Sequence, residues 1–424
     1  MRFHRTVAAV FSGLLLFASC SKEKPLNEGI ELSCVQPPFL SPGDTVALLS
    51  PSYYTPMENV YAAERVLRNW GFVPVIGPNV GKQYRGNYGG TPQERLSDLR
   101  WALEDPSVKA IICNRGGYGT IRFVDMIPPE MMGSHPKWLV GFSDITTLHE
   151  IENVSGVMSI HGTMGSFLAK SDGVDPSSQL MRDLLTGTLP YYVVPPHKEN
   201  IKGKASGVLV GGNLCTFTPI LGSSADALRG KDIILFIEEV EEDMSHIDRL
   251  VNMLVINGVF DRCKGVILGE FTDCKANLGF DSVEQMICSY LKRYGIPVCC
   301  GFPGGHGDVN LPLVMGSVVD MEVNGSGATL SFRMDGNIQR IDTAKEHSSY
   351  STGEDWDAYD WDKPSRLVRQ LDFAKYYDGV SPIFLKSRFR DDENDDFPVL
   401  SAQDSLEMET DSMEIKDPVI PTVE

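Results

Sequence analysis

From Gly43 the chain alternates short apolar runs with stretches whose apolar residues recur at helical spacing, and this alternation constrains the fold more than any other feature. Thr45 to Ser50 predicts a strand, Glu58 to Trp70 a helix and Phe72 to Ile76 a second strand. Thr91-Pro92-Gln93-Glu94 has the form of a capping box with proline at the first helical position, so a helix opens there. Val108 to Cys113 predicts the next strand, followed by a short helix near Thr120 to Met126. The apolar run Trp138-Leu139-Val140 and the strand Val157 to Ile160 then flank a helical pattern that starts at Ile145. Strand and helix in strict turn imply right-handed crossovers and a parallel sheet, with ligands at the carboxyl ends of the strands. The expected fold class is therefore α/β, with an N-terminal domain over residues 43–169 of the parallel, Rossmann or flavodoxin-like kind.

The stretch from Ser171 to Gly203 is rich in Pro, Ser, Asp and Gly, and residues 170–203 are expected to form a linker. Beyond it, strands are expected at Ala205–Val210, Asp232–Ile237, Gly265–Leu268, Pro297–Cys299, Val318–Val323 and Ala328–Phe332. Residues 204–334 thus predict a second domain, mixed and richer in sheet. Residues 335–390, with Trp356–Trp361 and Leu367–Tyr377 as helical patterns, are expected to be a small appendage. Residues 391–424 carry twelve acidic groups against the single base Lys416, which is the composition of a disordered tail.

That tail contributes −11 of the formal net charge of −19, so the folded body is only mildly acidic. No basic surface of the kind that binds nucleic acid is present in the pattern. At the other end, Arg2 and Arg5 precede a largely apolar run from Val7 to Ala18, too short to span a bilayer comfortably and typical of a signal peptide over residues 1–19. It closes on Leu16-Phe17-Ala18-Ser19-Cys20, which resembles a bacterial lipoprotein signal with Cys20 as the acylated residue. Residues 20–42, polar and proline-bearing through Pro38, are then a tether. The expected location is the cell envelope, lipid-anchored to a membrane and facing the periplasm. The eight remaining cysteines are scattered, with neither a C-x-x-C pair nor a metal spacing, and are expected to be buried free thiols.

Chemistry is expected at Gly141-Phe142-Ser143-Asp144, where a strand ends, turns sharply and enters a helix. Such a turn exposes the Ser143 hydroxyl at the carboxyl edge of the sheet and aims the first free amides of the helix, beginning with Asp144, at a bound group. A serine there is also a common helix cap, and Ile145 stands where a G-x-S-x-G elbow has its second glycine. A serine nucleophile needs a base, a group that orients the base, and amide donors. Arg115-Gly116-Gly117-Tyr118-Gly119, after the third strand, can bring its backbone close to a ligand. His306, between glycines in Phe302-Pro303-Gly304-Gly305-His306-Gly307-Asp308, ranks first among the histidines. His149 falls within a helix, and His161 ends a strand where it can only line a cleft. Glu238 is the first carboxylate after the apolar run Ile233–Ile237 and is costly to bury unless paired, with Glu239 as its substitute. Glu241 and Glu242 read as a solvated turn.

Taken in order, RGGYG at Arg115–Gly119, GFSDIT at Gly141–Thr146, HG at His161–Gly162, GGNL at Gly211–Leu214, IEEV at Ile237–Val240, LGEFTDC at Leu268–Cys274 and GHG at Gly305–Gly307 resemble the LD-carboxypeptidase family of serine peptidases, which includes the microcin C self-immunity peptidases. The resemblance implies a Ser-Glu-His triad at Ser143, Glu238 and His306, with the Gly117 and Asp144 amides as oxyanion hole and no cofactor or metal. It implies a murein tetrapeptide as substrate, cut before its terminal D-alanine, and Arg115 is the candidate for the substrate carboxylate. Expected partners are that murein peptide, a membrane through the N-terminal lipid and, as an option, a second copy in a homodimer. Two departures stand out: Glu239 where the family often has Asp, and Thr163 where proline commonly follows His-Gly. An amidase of the immunity type and an inactive murein-peptide-binding lipoprotein are the alternatives.

Overall fold

The computed structural model describes residues 29–334 and 370–372. The expected signal peptide, Cys20, the expected helical pattern Trp356–Trp361 and the acidic tail lie outside these residues.

Among the described residues fourteen strands are present: β1 (Thr45–Leu49), β2 (Val73–Ile76), β3 (Val108–Cys113), β4 (Trp138–Gly141), β5 (Ser159–His161), β6 (Tyr191–Val194), β7 (Gly203–Asn213), β8 (Ile233–Val240), β9 (Cys263–Thr272), β10 (Val298–Cys300), β11 (Leu313–Met315), β12 (Val318–Asn324), β13 (Gly327–Arg333) and β14 (Gln370–Asp372). They form two sheets, ordered β11-β5-β4-β3-β1-β2 and β10-β9-β8-β7-β12-β13-β6-β14. In the first sheet every pairing among β1 to β5 is parallel. Its inner strands are buried along almost their whole length, since helices cover both faces. That is why β1, β3 and β4 appear in the sequence as unbroken apolar runs. The order β2-β1-β3-β4-β5 reverses direction between β1 and β3, so the loops that follow those strands diverge and leave a crevice at their carboxyl ends.

The helix at Pro92–Glu104 begins where the sequence places it. The Thr91 hydroxyl accepts from the Glu94 amide at 3.2 Å, and the Glu94 carboxylate accepts from the Thr91 amide at 2.9 Å. In the second sheet β7 to β10 run parallel, whereas β12, β13 and β6 continue it with antiparallel pairings. The fold is α/β, with a parallel sheet first and a mixed sheet after it, as the alternation predicts.

Three segments depart from expectation. Residues 170–203 are not a bare linker: they hold a helix at Pro176–Leu185, capped by Asp175, and then β6, which pairs with β13. The Pro and Ser of that stretch are a helix start, and Tyr192 of β6 is buried. Residues 29–42 are not all tether. Val35 bridges to Val157, the Trp138 indole donates to the Pro38 carbonyl at 3.0 Å, Phe39 stacks on Trp138, and Leu40 is 4% exposed. A polar, proline-bearing composition hid these contacts, in which Val35 and Pro38 take part through the backbone and Phe39 and Leu40 through apolar side chains. Finally, Gln370–Asp372 within the expected helical pattern Leu367–Tyr377 is a strand beside β6.

The first sheet also receives β11, antiparallel to β5, from late in the chain. The loop from β10 to β11, which carries His306, therefore starts in one sheet and ends in the other.

Because residues 29–42 are built into the fold, Leu40→Ala is expected to lower stability by about 2–4 kcal/mol, as loss of a buried leucine side chain does. Urea unfolding of this variant measures it.

Candidate active site

Ser143 follows β4 directly after Phe142 and takes φ of +62°, a left-handed conformation that an ordinary residue adopts only when its surroundings enforce it. Phe142 before it is fully extended, so the chain reverses within one residue, and a 3₁₀ turn over Ser143–Ile145 leads into the helix Thr146–Val154. The hydroxyl is left at the carboxyl edge of the sheet, half-buried. Gly116 in the loop after β3 packs against it, and a β-carbon there would stand 2.8 Å from the Ser143 Cβ. Next to it Gly117 has φ of +114°, with the Tyr53 ring filling the space a side chain would need. The glycines of the Arg115–Gly119 motif are thus required by close approach.

The Asp144 carboxylate locks these two loops together. It accepts from the Ser52 hydroxyl at 2.6 Å and from the Thr120 amide at 2.9 Å, while the Thr120 hydroxyl donates to the Asp144 carbonyl at 2.8 Å. Burial raises its pKa, and the bonds from Ser52 and Thr120 oppose that rise. The loops after β1, β3 and β4 therefore meet at one buried carboxylate. Sequence reading assigned Asp144 only an amide. Its side-chain role had no local signal, because Ser52 lies 92 residues away.

His306 Nδ1 lies 2.7 Å from Glu238 Oε2, with the imidazole 17% exposed and the carboxylate fully buried. Burial works against the imidazolium, but the charge and hydrogen bond of Glu238, followed by Glu239 and Glu241, outweigh it and raise the His306 pKa. The same ring packs edge-on against Phe142 with centroids 5.0 Å apart, which sets His306 beside the residue that precedes Ser143. Strand parity separates the two glutamates at the end of β8. Glu238 faces His306. Glu239 faces the opposite side, where it accepts from Asn213 Nδ2 and the Cys215 amide, both at 2.8 Å.

Two further histidines, His149 and His161, are enclosed. His149 bonds Ser159 Oγ and the Gly141 carbonyl, each at 2.8 Å, and burial drives its pKa down to about 4. His161 is fully buried, edge-on to Phe236 at 5.0 Å, and burial with the neighbouring His149 and His306 keeps it neutral. It belongs to an aromatic row that joins Phe142 through Phe236 and Phe302 to Tyr192, bonding the two sheets beneath the crevice. Arg115 is half-buried over the Tyr53 ring at 5.7 Å and makes no ion pair among the described residues. Glu270, within the LGEFTDC motif, sits under Gly307, and burial together with Asp308 pushes its carboxyl up to about 7.

The first sheet grips the second next to the nucleophile turn. Glu150, buried in the helix after Ser143, accepts from the Gly211 and Ala227 amides at 3.0 Å each, and Thr146 Oγ1 accepts from the Asn213 amide at 3.2 Å. The GGNL motif is this contact.

Comparison with known proteins places these elements in a shared pattern. Residues 46–162 match the model of the LD-carboxypeptidase N-terminal domain and residues 206–321 that of its C-terminal domain. A protein of Synechocystis named as a carboxypeptidase is 36% identical over 70% of this chain and 97% of its own length. The murein tetrapeptide carboxypeptidase of Pseudomonas aeruginosa is 28% identical over 66% of this chain and 93% of its own. Among solved structures, an MccF-like protein from Bacillus anthracis superposes with a TM-score of 0.64 at 23% identity, covering 71% of this chain and all of that one.

Nuclear magnetic resonance titration of His306 is expected to give a pKa above the ordinary 6.5. Glu238→Gln removes the anion and leaves burial, so the value should fall to 6.5 or below, whereas Glu239→Gln should shift it far less.

Proposed function

Because the chain belongs to the LD-carboxypeptidase family of peptidases, we propose that it is a serine LD-carboxypeptidase that releases the terminal D-alanine of murein tetrapeptide stems through Ser143, His306 and Glu238. The observation that carries this reading is the buried His306–Glu238 pair packed on Phe142, the residue before a serine held at φ +62°. His306 Nε2 takes the Ser143 proton as Oγ attacks the scissile carbonyl. Glu238 holds the proton on Nδ1, which leaves Nε2 as the acceptor, and stabilises the imidazolium that forms. The Gly117 and Asp144 amides donate to the developing oxyanion, and their alignment is maintained by the buried Asp144 carboxylate. His306 returns its proton to the leaving amine, an acyl-enzyme remains, and water released through the same imidazole hydrolyses it. Arg115 receives the carboxylate of the substrate.

The N-terminal pattern supports an envelope location for this activity. Acylation at Cys20 would hold the enzyme at a membrane, and residues 21–28 would span from the lipid to the first packed residues, leaving the crevice within reach of assembled or freshly shed wall.

Purified enzyme with murein tetrapeptide is expected to release D-alanine, and Ser143→Ala to abolish release while still binding the peptide. Glu238→Gln should lower kcat by roughly 10³ to 10⁴-fold with little change in KM. Since the base must be neutral, activity should rise with pH through the raised His306 pKa and saturate above it. Cleavage of acyl-amino-acid or peptide–nucleotide amides in place of the tetrapeptide would assign the immunity-type activity. Tetrapeptide binding without turnover would leave a binding protein.

Cell fractionation tests the location. The protein should partition with membranes and lose residues 1–19, and Cys20→Ser should release it or leave it unprocessed with its catalysis intact.

A further inference from the structure

On the face of β8 away from His306, three side chains with metal-binding atoms converge. Cys215 comes from the short helix after β7, Glu242 from the turn after β8, and His246 from the first turn of the helix Met244–Ile256. Cys215 Sγ stands 3.2 Å from Glu242 Oε1, His246 Nδ1 stands 2.6 Å from Glu242 Oε2, and Sγ and Nδ1 are 3.9 Å apart. All three are partly buried, and among the described residues no other group of His, Cys, Asp and Glu meets in this way.

Zinc bond lengths of 2.0–2.3 Å put the ligand atoms of a tetrahedral site about 3.4–3.6 Å from one another. Both separations that involve Sγ are within about 0.4 Å of this range, taking the same bond lengths. The third is a hydrogen bond that opens by under about 1 Å once a cation replaces its proton. We propose that Cys215, Glu242 and His246 form a mononuclear site for a borderline-soft divalent cation, with Zn²⁺ the best match, and that its fourth position faces solvent. One thiolate, one carboxylate and one neutral imidazole are a donor set such a cation prefers over magnesium or calcium, which take oxygen.

Proton balance follows from the present bonds. In the metal-free protein, burial and the carboxylates of Glu239 and Glu242 keep the thiol protonated, so binding expels that proton to solvent. The Nδ1 proton of His246 moves to Nε2, freeing the Nδ1 lone pair. A second set of contacts organises the ligands: Glu239 accepts from the Cys215 amide, fixing the corner from which the thiol projects, and Asp243 caps the helix that carries His246. The cation would clamp that helix to the corner after β7 and stabilise the second sheet without entering the hydrolytic site.

The test uses the full chain, stripped of metal by dialysis against a chelator under reducing conditions. Titration with Zn²⁺, followed by calorimetry, should show one equivalent, and Co²⁺ as a probe should give a thiolate-to-metal charge-transfer band. Zinc should raise the melting midpoint, since it binds only the folded state. Cys215→Ser and His246→Ala should each weaken zinc binding by on the order of 100-fold, the share of one ligand in a structural zinc site. Cys34→Ser, at a buried thiol before β1 that bonds the Asn153 carbonyl far from these ligands, should bind as the wild type does. Glu242→Gln keeps the shape of the site should either of the first two variants misfold, and it too should lose zinc and the midpoint shift. Binding that survives in Cys215→Ser, His246→Ala and Glu242→Gln, or a wild type without saturable binding, overturns the proposal and leaves the three residues as a hydrogen-bonded cap.

Discussion

Glu238 is a fully buried carboxylate at the carboxyl end of β8, and the loop between β10 and β11 is shaped by the need to answer it. His306 supplies the answer at 2.7 Å, but it can do so only if its loop leaves one sheet, crosses above Glu238 and returns to the other as β11. That crossing closes the crevice, sets the imidazole on Phe142 and completes the edge of the first sheet. One ion pair thus fixes both the chemistry and the way the two sheets are joined.

A second buried carboxylate does for the Ser143 turn what Glu238 does for His306. Asp144 draws the loops after β1, β3 and β4 together, at the side of the sheet where strand order reverses. The strained backbone at Ser143 persists because this network and the flanking Gly116 hold it from both sides. Glu150 then bolts the helix behind Ser143 to β7, so that motion between the sheets would have to break bonds about two helical turns from that serine. The separate pieces of the site are rigid because each is anchored by a group whose burial would be costly unpaired.

Much of this was legible from the residues. The strand–turn–helix unit at Ser143, the capping box at Thr91, and all but three of the fourteen strands among the described residues announce themselves through local pattern, since propensity and burial periodicity act over a few residues. The short strands β6, β11 and β14 and the anchors in residues 29–42 do not. β11 is three residues long, and its place beside β5 depends on a partner some 150 positions earlier. Tyr192 is buried because Phe302 and Phe332 surround it, and nothing near it in sequence says so.

The sequence by itself determined the parallel α/β character, the serine at a strand–helix turn, and a short ordered set of motifs that marks the family, because each is written in residues close along the chain. It put Glu238 first as the carboxylate held against an imidazole, with Glu239 as its substitute. Only the tertiary structure shows which of the two meets the imidazole, because that depends on which face of β8 meets the loop of His306. The same holds for Asp144 as a lock and for the meeting of Cys215, Glu242 and His246: their partners come from different elements, and only folding brings those elements to one place.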